Sequence, residues 1–235
     1  MYILEGNIGA GKSTFLKLVA QHLPHLQVIL EPLATWQHPV HGESILTNFC
    51  HNPKRWAYSF ETLTMMCRVK DHLTQQQEPN KLRILERSIY SGHYCFALNS
   101  YNQRYMNELE WKMYNEWFNF LVPNTCQPPL GFIYLRVDPA IAHTRIAKRK
   151  RIGEEEFSLG YLQQIHERHE SFLIKKEHIL PELKKIPVLT LSCDREFEHN
   201  PKVLRQHLNA IQDFVTETAP SVVAAHTTCS QKACI

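Results

Sequence analysis

Gly6-Asn7-Ile8-Gly9-Ala10-Gly11-Lys12-Ser13-Thr14 fits the pattern G-x-x-x-x-G-K-[ST] in full. Glycines at these places let the backbone curl until successive N–H groups point at phosphate oxygens, at the positive end of a helix dipole. Lys12 then reaches the outer phosphates, and the Ser13 hydroxyl helps to hold Mg²⁺. Such a loop binds a nucleoside triphosphate. Three further clusters carry groups suited to act on one. Glu31, followed by Pro32, offers a carboxylate that could take a proton from an acceptor hydroxyl; a lone acid here could equally be an exposed turn residue. Glu86 and Arg87 offer a magnesium-side carboxylate and a cation for the transferred phosphoryl group, or else a surface ion pair of little worth. The basic run from Arg145 through Arg149 and Arg151 could be a localisation signal, a nucleic-acid patch or a solvated helix face. Behind a phosphate loop it reads best as a lid that closes over the triphosphate.

These groups need a scaffold that brings strand ends together. Short apolar runs recur at Tyr2–Glu5, Gln27–Leu30, Leu82–Glu86, Phe132–Val137 and Val188–Ser192, and each candidate cluster but the lid follows one of them. Helical patterns fill the intervals, with long helices expected from Pro53 to about Gln77, from Met106 to Leu121 and from Leu159 to Leu183. Strands alternating with helices predict an α/β fold. Five parallel strands would lie between helices in a P-loop kinase arrangement with a basic lid, and ligands would sit at the carboxyl ends of the strands. With no repeat and no linker, residues 1–218 read as a single domain, and 219–235 as a disordered tail of small and polar residues.

Composition narrows the function classes. At 235 residues and 43% hydrophobic, the chain can bury a sizeable core. A net charge of +3 suits an anionic ligand without calling for nucleic acid. Cys50, Cys67, Cys95, Cys126, Cys193, Cys229 and Cys234 are odd in number and lack CxxC or zinc-like spacing, which points to reduced thiols in a cytoplasmic setting. The 14 histidines form no HExxH motif. No run approaches a transmembrane length, a strand at residue 2 predicts no targeting peptide within this sequence and leaves a longer precursor open, and the last four residues do not support prenylation.

Taken together, these stretches resemble the deoxynucleoside kinase family, which includes deoxycytidine, deoxyguanosine and mitochondrial-type thymidine kinases. The resemblance rests on Glu5–Thr14, Glu31-Pro32-Leu33-Ala34-Thr35-Trp36, the stretch from Pro53 to Phe60, Glu86-Arg87-Ser88-Ile89-Tyr90-Ser91, Ile133-Tyr134-Leu135, the lid arginines, and Tyr161-Leu162 through Phe172. It spans residues 2 to about 172 in family order. It implies transfer of the γ-phosphate of ATP, with Mg²⁺, to the 5′-hydroxyl of a deoxynucleoside. Glu31 would then be the general base, Arg87 its hydroxyl-binding neighbour and Glu86 the Mg²⁺-linked carboxylate. Arg145, Arg149 and Arg151 would form the lid, and Glu154 would accept the sugar 3′-hydroxyl. Trp36, Phe60 and Phe96 would wall the base, as stacking surfaces for its π-face. A homodimer packed through long helices is also implied.

Departures from the family pattern fall in the acceptor pocket. Glu61 stands where the family usually has Gln; an ionised carboxylate only accepts hydrogen bonds and suits the two adjacent donors of guanine. Alternatively, Glu61 pairs with Arg68 seven residues along the helix, because the acid that usually partners that arginine is replaced by Gly92. Cys50 replaces a tyrosine that crowds the 2′ side of the sugar, which puts discrimination against ribonucleosides in question. A lean towards purine deoxynucleosides follows from Glu61 and Arg68, while the small Gly92 pulls towards thymidine. Two rivals stand beside this reading. A nucleoside monophosphate kinase would need an anion site that Glu31 and Glu154 oppose, and a non-catalytic structural relative would not need Lys12, Ser13, Glu86 and Arg87.

Overall fold

The computed structural model describes residues 1–31, 44–78, 81–149 and 157–220. Its frame is a five-stranded parallel sheet: β1 (Tyr2–Gly6), β2 (Gln27–Ile29), β3 (Arg83–Glu86), β4 (Gly131–Arg136) and β5 (Val188–Ser192), in the order β2-β3-β1-β4-β5. The register pairs Leu4 with Glu86 on one side and with Ile133 on the other. β1 is therefore central, and its five residues are all buried. Parallel strands covered on both faces are mainly apolar, because successive side chains meet alternate helical layers.

The two layers can be read from alternate residues. Tyr2, Leu4, Ile133 and Leu135 pack with α1 (Lys12–His22) and the C-terminal helix α10 (Pro201–Thr218). Ile3, Phe132 and Tyr134 pack on the other face with α3 (Pro53–Gln76), α4 (Ile89–Ser91), α6 (Glu108–Thr125) and the π-helical turns that follow α8 (Leu159–His169). Between these helices lie α2 (Ile45–His51), α5 (Leu98–Asn102), α7 (Pro139–Arg149) and α9 (Pro181–Lys184). Local signals set several boundaries. Asn52 caps α3 ahead of Pro53, and Asn107 with Glu110 forms a capping box at α6.

The five strands lie where the apolar runs place them, to within a residue at most ends. The long third helix expected from Leu159 to Leu183 is broken. Helix α8 ends at His169 and passes into π-helical turns over Glu170–Lys175, and Lys176 then adopts a left-handed conformation (φ 55°). That conformation terminates the helix, and Pro181 restarts the chain in a separate turn. A second π-helical stretch, Gly92–Ala97, joins α4 to α5. Trp36, Arg151, Glu154 and residues 221–235 of the expected tail lie outside the described residues.

Candidate active site

At the carboxyl end of β1 the chain turns through Asn7–Gly11 into α1, with the glycines in backbone conformations that side chains resist. Gly9 (φ 79°) sits so close to α7 that a Cβ would lie 2.5 Å from the Ala142 carbonyl oxygen. Gly11 (φ 89°) precedes the first turn of α1. Lys12 follows; it is only 6% exposed, and its Nζ donates to the carbonyls of Gly6 (3.1 Å) and Asn7 (2.8 Å). The ammonium is thus curled back onto its own loop. Burial, followed by the charge of Arg87, lowers Lys12 to about 7.

Ser13, next along α1, donates from Oγ to Glu86 Oε1 at 2.8 Å. Glu86 ends β3, beside β1, so sheet register brings together two residues 73 positions apart. A hydroxyl and a carboxylate beside a phosphate loop match the preference of Mg²⁺ for oxygen, which is met mainly by phosphates, water and one or two protein groups. Among the described residues no cluster of three metal-binding side chains occurs, and this donor set needs none.

Arg87 adopts a left-handed backbone (φ 65°), a strained conformation that turns its side chain across the strand ends. Its N–H bonds the Leu4 carbonyl (2.9 Å), its Nη1 donates to the Gly6 carbonyl (3.0 Å), and its guanidinium lies 4.7 Å from the centre of the Phe96 ring. Beneath it, Ser88 Oγ donates to the fully buried Glu5 at 2.5 Å, tying this turn to β1. Burial raises the Glu5 carboxyl.

Glu31 follows β2, and its side chain is 9% exposed. Arg68 Nη2 donates to its Oε1 at 2.7 Å, and Arg87 Nε lies 3.4 Å from its Oε2. Burial alone would raise this carboxyl, but the two guanidiniums outweigh burial and hold it below the ordinary carboxylate range. Glu31 is therefore a buried anion at neutral pH, clamped from two sides.

Lys12, Ser13, Glu31, Arg68, Glu86 and Arg87 border one cavity of about 240 Å³. One end is polar, formed by Ile8, Gly9, Gly11, Lys12, Ser13, Thr14 and Glu86, with Arg149 beside them. The other end is lined by Leu46, Phe49, Phe60, Phe96, Phe157 and Tyr161, with Glu61, Thr64 and Arg68. Glu31 and Arg87 also border it. Phe49 stacks on Phe60 (centroids 4.8 Å apart, planes at 13°). Cys50 and Gly92 are not among the lining residues. Gly92 sits behind Arg68, where a Cβ would fall 2.6 Å from Nη1. Absence of a side chain at 92 makes room for the guanidinium in its bond to Glu31.

The expected Glu61–Arg68 pair does not form. The ion-pair partner of Arg68 among the described residues is Glu31, 37 positions away, while Glu61 accepts instead from Ser100 Oγ at 3.0 Å. Of the lid arginines, Arg145 Nη2 donates to the Cys193 carbonyl (2.8 Å) and borders a second cavity. That cavity adjoins Gly9, Gly11 and Thr14 and includes Lys148, Arg149, Asp194, Glu196 and Phe197. Sequence reasoning missed the last three. The signal was available, because Asp194-Arg195-Glu196-Phe197 directly follows β5, at the end of the sheet where ligands bind. Phe157 and Tyr161 carry no signal in the sequence that marks them as cavity-lining. No helix among the described residues is long and apolar enough to cross a membrane.

Comparison with known proteins meets this geometry. The deoxynucleoside kinase family model matches residues 2–216. A mitochondrial deoxyguanosine kinase of Xenopus laevis is 34% identical over 235 aligned residues, covering 90% of this chain and 88% of that protein. Deoxycytidine kinase 2 of Gallus gallus is 34% identical over 238, covering 91% and 89%. Human deoxycytidine kinase is 31% identical over 218, covering 83% and 84%. A phosphate loop, a clamped carboxylate and an aromatic acceptor end on a parallel sheet thus coincide with full-length similarity: the chain belongs to the deoxynucleoside kinase family.

Proposed function

We propose that this chain, as one domain over residues 1–218, transfers the γ-phosphate of ATP to the 5′-hydroxyl of a deoxynucleoside, with a lean towards purines and guanine first. The observation that carries the reading is Glu31. It is a clamped, buried anion bordering a cavity with phosphate-loop residues at one end and stacked aromatic rings at the other. A nucleoside with its base between Phe60 and Phe96 would direct its 5′-hydroxyl towards Glu31, which takes the proton as the oxygen attacks. Arg87 orients that hydroxyl and neutralises the transferred group, together with Lys12 and the lid arginines Arg145, Arg149 and Arg151. Mg²⁺, held through Ser13 and Glu86, would supply charge neutralisation on the triphosphate. Phe197 and the adjoining cavity are suited to the adenine of the donor. Trp36, Cys50 and Glu154 belong to the acceptor side of the proposal.

An acceptor that already carried a phosphate would meet Glu31 and Glu61 at this end of the cavity, and like charges disfavour it. The guanine lean rests on Glu61, since an ionised carboxylate matches two adjacent N–H donors. Phosphorylation assays with the four deoxynucleosides and guanosine test the reading. ATP consumption dependent on added nucleoside is expected, with deoxyguanosine the best substrate. Failure with both purine deoxynucleosides would remove the lean, and consumption with no nucleoside would overturn the function.

A homodimer is part of the proposal. On α6, Leu109, Met113, Trp117 and Phe120 are 44–67% exposed and spaced to share one helix face; α3, packed alongside, adds exposed Met66. Trp117→Glu with Phe120→Glu is expected to convert dimer to monomer in sedimentation equilibrium at unchanged helix content. A wild-type monomer, or a variant still dimeric, would reject this face. A cytoplasmic setting is likewise proposed, in keeping with the absence of disulfides at Cys50, Cys67, Cys95, Cys126 and Cys193.

A further inference from the structure

Glu61 is a carboxyl group that the phosphoryl-transfer chemistry does not use. It sits on α3 beside Phe60, is 2% exposed, and lines the aromatic end of the cavity. Ser100 Oγ, from α5, donates to Oε1 at 3.0 Å and fixes the plane of the carboxyl; Oε2 has no hydrogen-bond partner among the described residues. The cation that could have paired with Glu61 is engaged elsewhere, since Arg68 Nη2 bonds Glu31. The result is a buried acid in the cavity wall that accepts from a hydroxyl and has no ion-pair contact among the described residues. Such a group has two hydrogen-bonding patterns. Ionised, it presents two acceptors; protonated, it presents one donor and one acceptor side by side, as an amide does.

We infer that Glu61 determines base specificity, and that its proton selects between base edges: ionised Glu61 takes the adjacent N1–H and N2–H donors of guanine, and protonated Glu61 takes an acceptor–donor edge such as N1 and N6–H of adenine. In the ionised form one carboxylate oxygen would face the N1 lone pair of adenine, a repulsive contact that leaves a buried polar atom unpaired. Burial is the main reason the proton is retained near neutral pH, raising Glu61 to about 7, with Arg68 and Ser100 pulling the other way. The titratable and charged groups facing it are Arg68 on its own helix, Tyr114 on α6 and Tyr161 on α8. Both phenols are pushed upward by burial and stay neutral throughout this range, so they add no competing titration.

The inference rests on the deoxynucleoside kinase reading, and its test separates the two. The ratio of kcat/KM for deoxyguanosine to that for deoxyadenosine is measured at pH 6, 7 and 8, around the Glu61 value of about 7. Taking the ratio cancels every titration common to both substrates, including those of Glu31, Lys12 and ATP. The ratio is expected to rise about ten-fold, the worth of one charge-assisted hydrogen bond. In Glu61→Gln it is expected to be flat and close to the wild-type value at pH 6. Ser100→Ala removes a donor to the ionised form and should move the transition to higher pH. A flat wild-type ratio, or a pH dependence that survives in Glu61→Gln, overturns the inference. If Glu61→Gln does not fold, the Ser100→Ala midpoint decides, and an unmoved midpoint is the negative result. Absence of turnover with both nucleosides at every pH would instead overturn the kinase reading, and the inference with it.

Discussion

Lys12→Ala is expected to lower kcat by about 10²–10³-fold, the usual loss when one preorganised charge or donor is removed from a transition state. The ammonium is the cation on the phosphate loop itself, and in the free protein it is satisfied only by the carbonyls of Gly6 and Asn7. Alanine cannot follow the phosphoryl group as its charge is redistributed, and among the described residues the other lysine lining the cavity is Lys17. A second readout follows from burial. Burial lowers Lys12 to about 7, so its charge is lost progressively as pH rises above that value. Triphosphate oxygens raise it again, and binding therefore takes up close to one proton. Calorimetric titration with MgATP at pH 8, in two buffers of different ionisation enthalpy, should show that uptake in the wild type and not in Lys12→Ala. Turnover within about ten-fold of wild type would remove Lys12 from the transition state.

Glu31→Gln is the second large effect: a fall in kcat of about 10²–10⁴-fold, the range for loss of a general base, with the nucleoside KM nearly unchanged. The amide keeps the shape and one acceptor for Arg68 or Arg87, so the pocket persists while the proton acceptor is lost. If Glu31→Gln kept most of its turnover, the base assignment would be wrong. Stability gives an independent check with a defined sign. Burial opposes the charged form of Glu31, but Arg68 and Arg87 overcome it and the folded carboxyl is depressed. Its contribution to stability is therefore present above the ordinary carboxylate value and lost as pH falls through the lower folded value. Thermal melts should show wild type losing this increment in acid. The variant, which faces two guanidiniums with a neutral amide, should melt lower at neutral pH and lack that step.

Much of the fold was legible because its signals are local. Parallel strands buried on both faces favour apolar residues, and the runs at Tyr2 and Phe132, with Ile84 and Leu85 of β3, stand out for that reason. The expected helix from Leu159 to Leu183 failed where local pattern and backbone geometry part. Its apolar spacing continues past His169, but the π-helical turns and the left-handed Lys176 are not encoded by hydrophobic period. The strain at Arg87 was invisible for the same reason. It is a backbone conformation maintained by bonds to Leu4 and Gly6, residues on another strand.

The donor end of the site was determined by sequence alone. A phosphate loop is contiguous, its glycines answer to backbone geometry, and the helix it opens follows directly in the chain. Glu31 and Arg87 could be named as candidates because each ends a strand. What only the tertiary structure decided was how the charges pair. With Gly92 in place of the family's acid, Arg68 could pair with Glu61 on its own helix or with Glu31 after β2. The fold gave it Glu31 at 2.7 Å, across a glycine that leaves room for the guanidinium. Ion pairs form by distance in space, and here the separation in the chain is 37 residues. That pairing, with Arg87, keeps Glu31 an anion, while Glu61 stays buried with a hydroxyl donor in Ser100 and no ion pair of its own among the described residues.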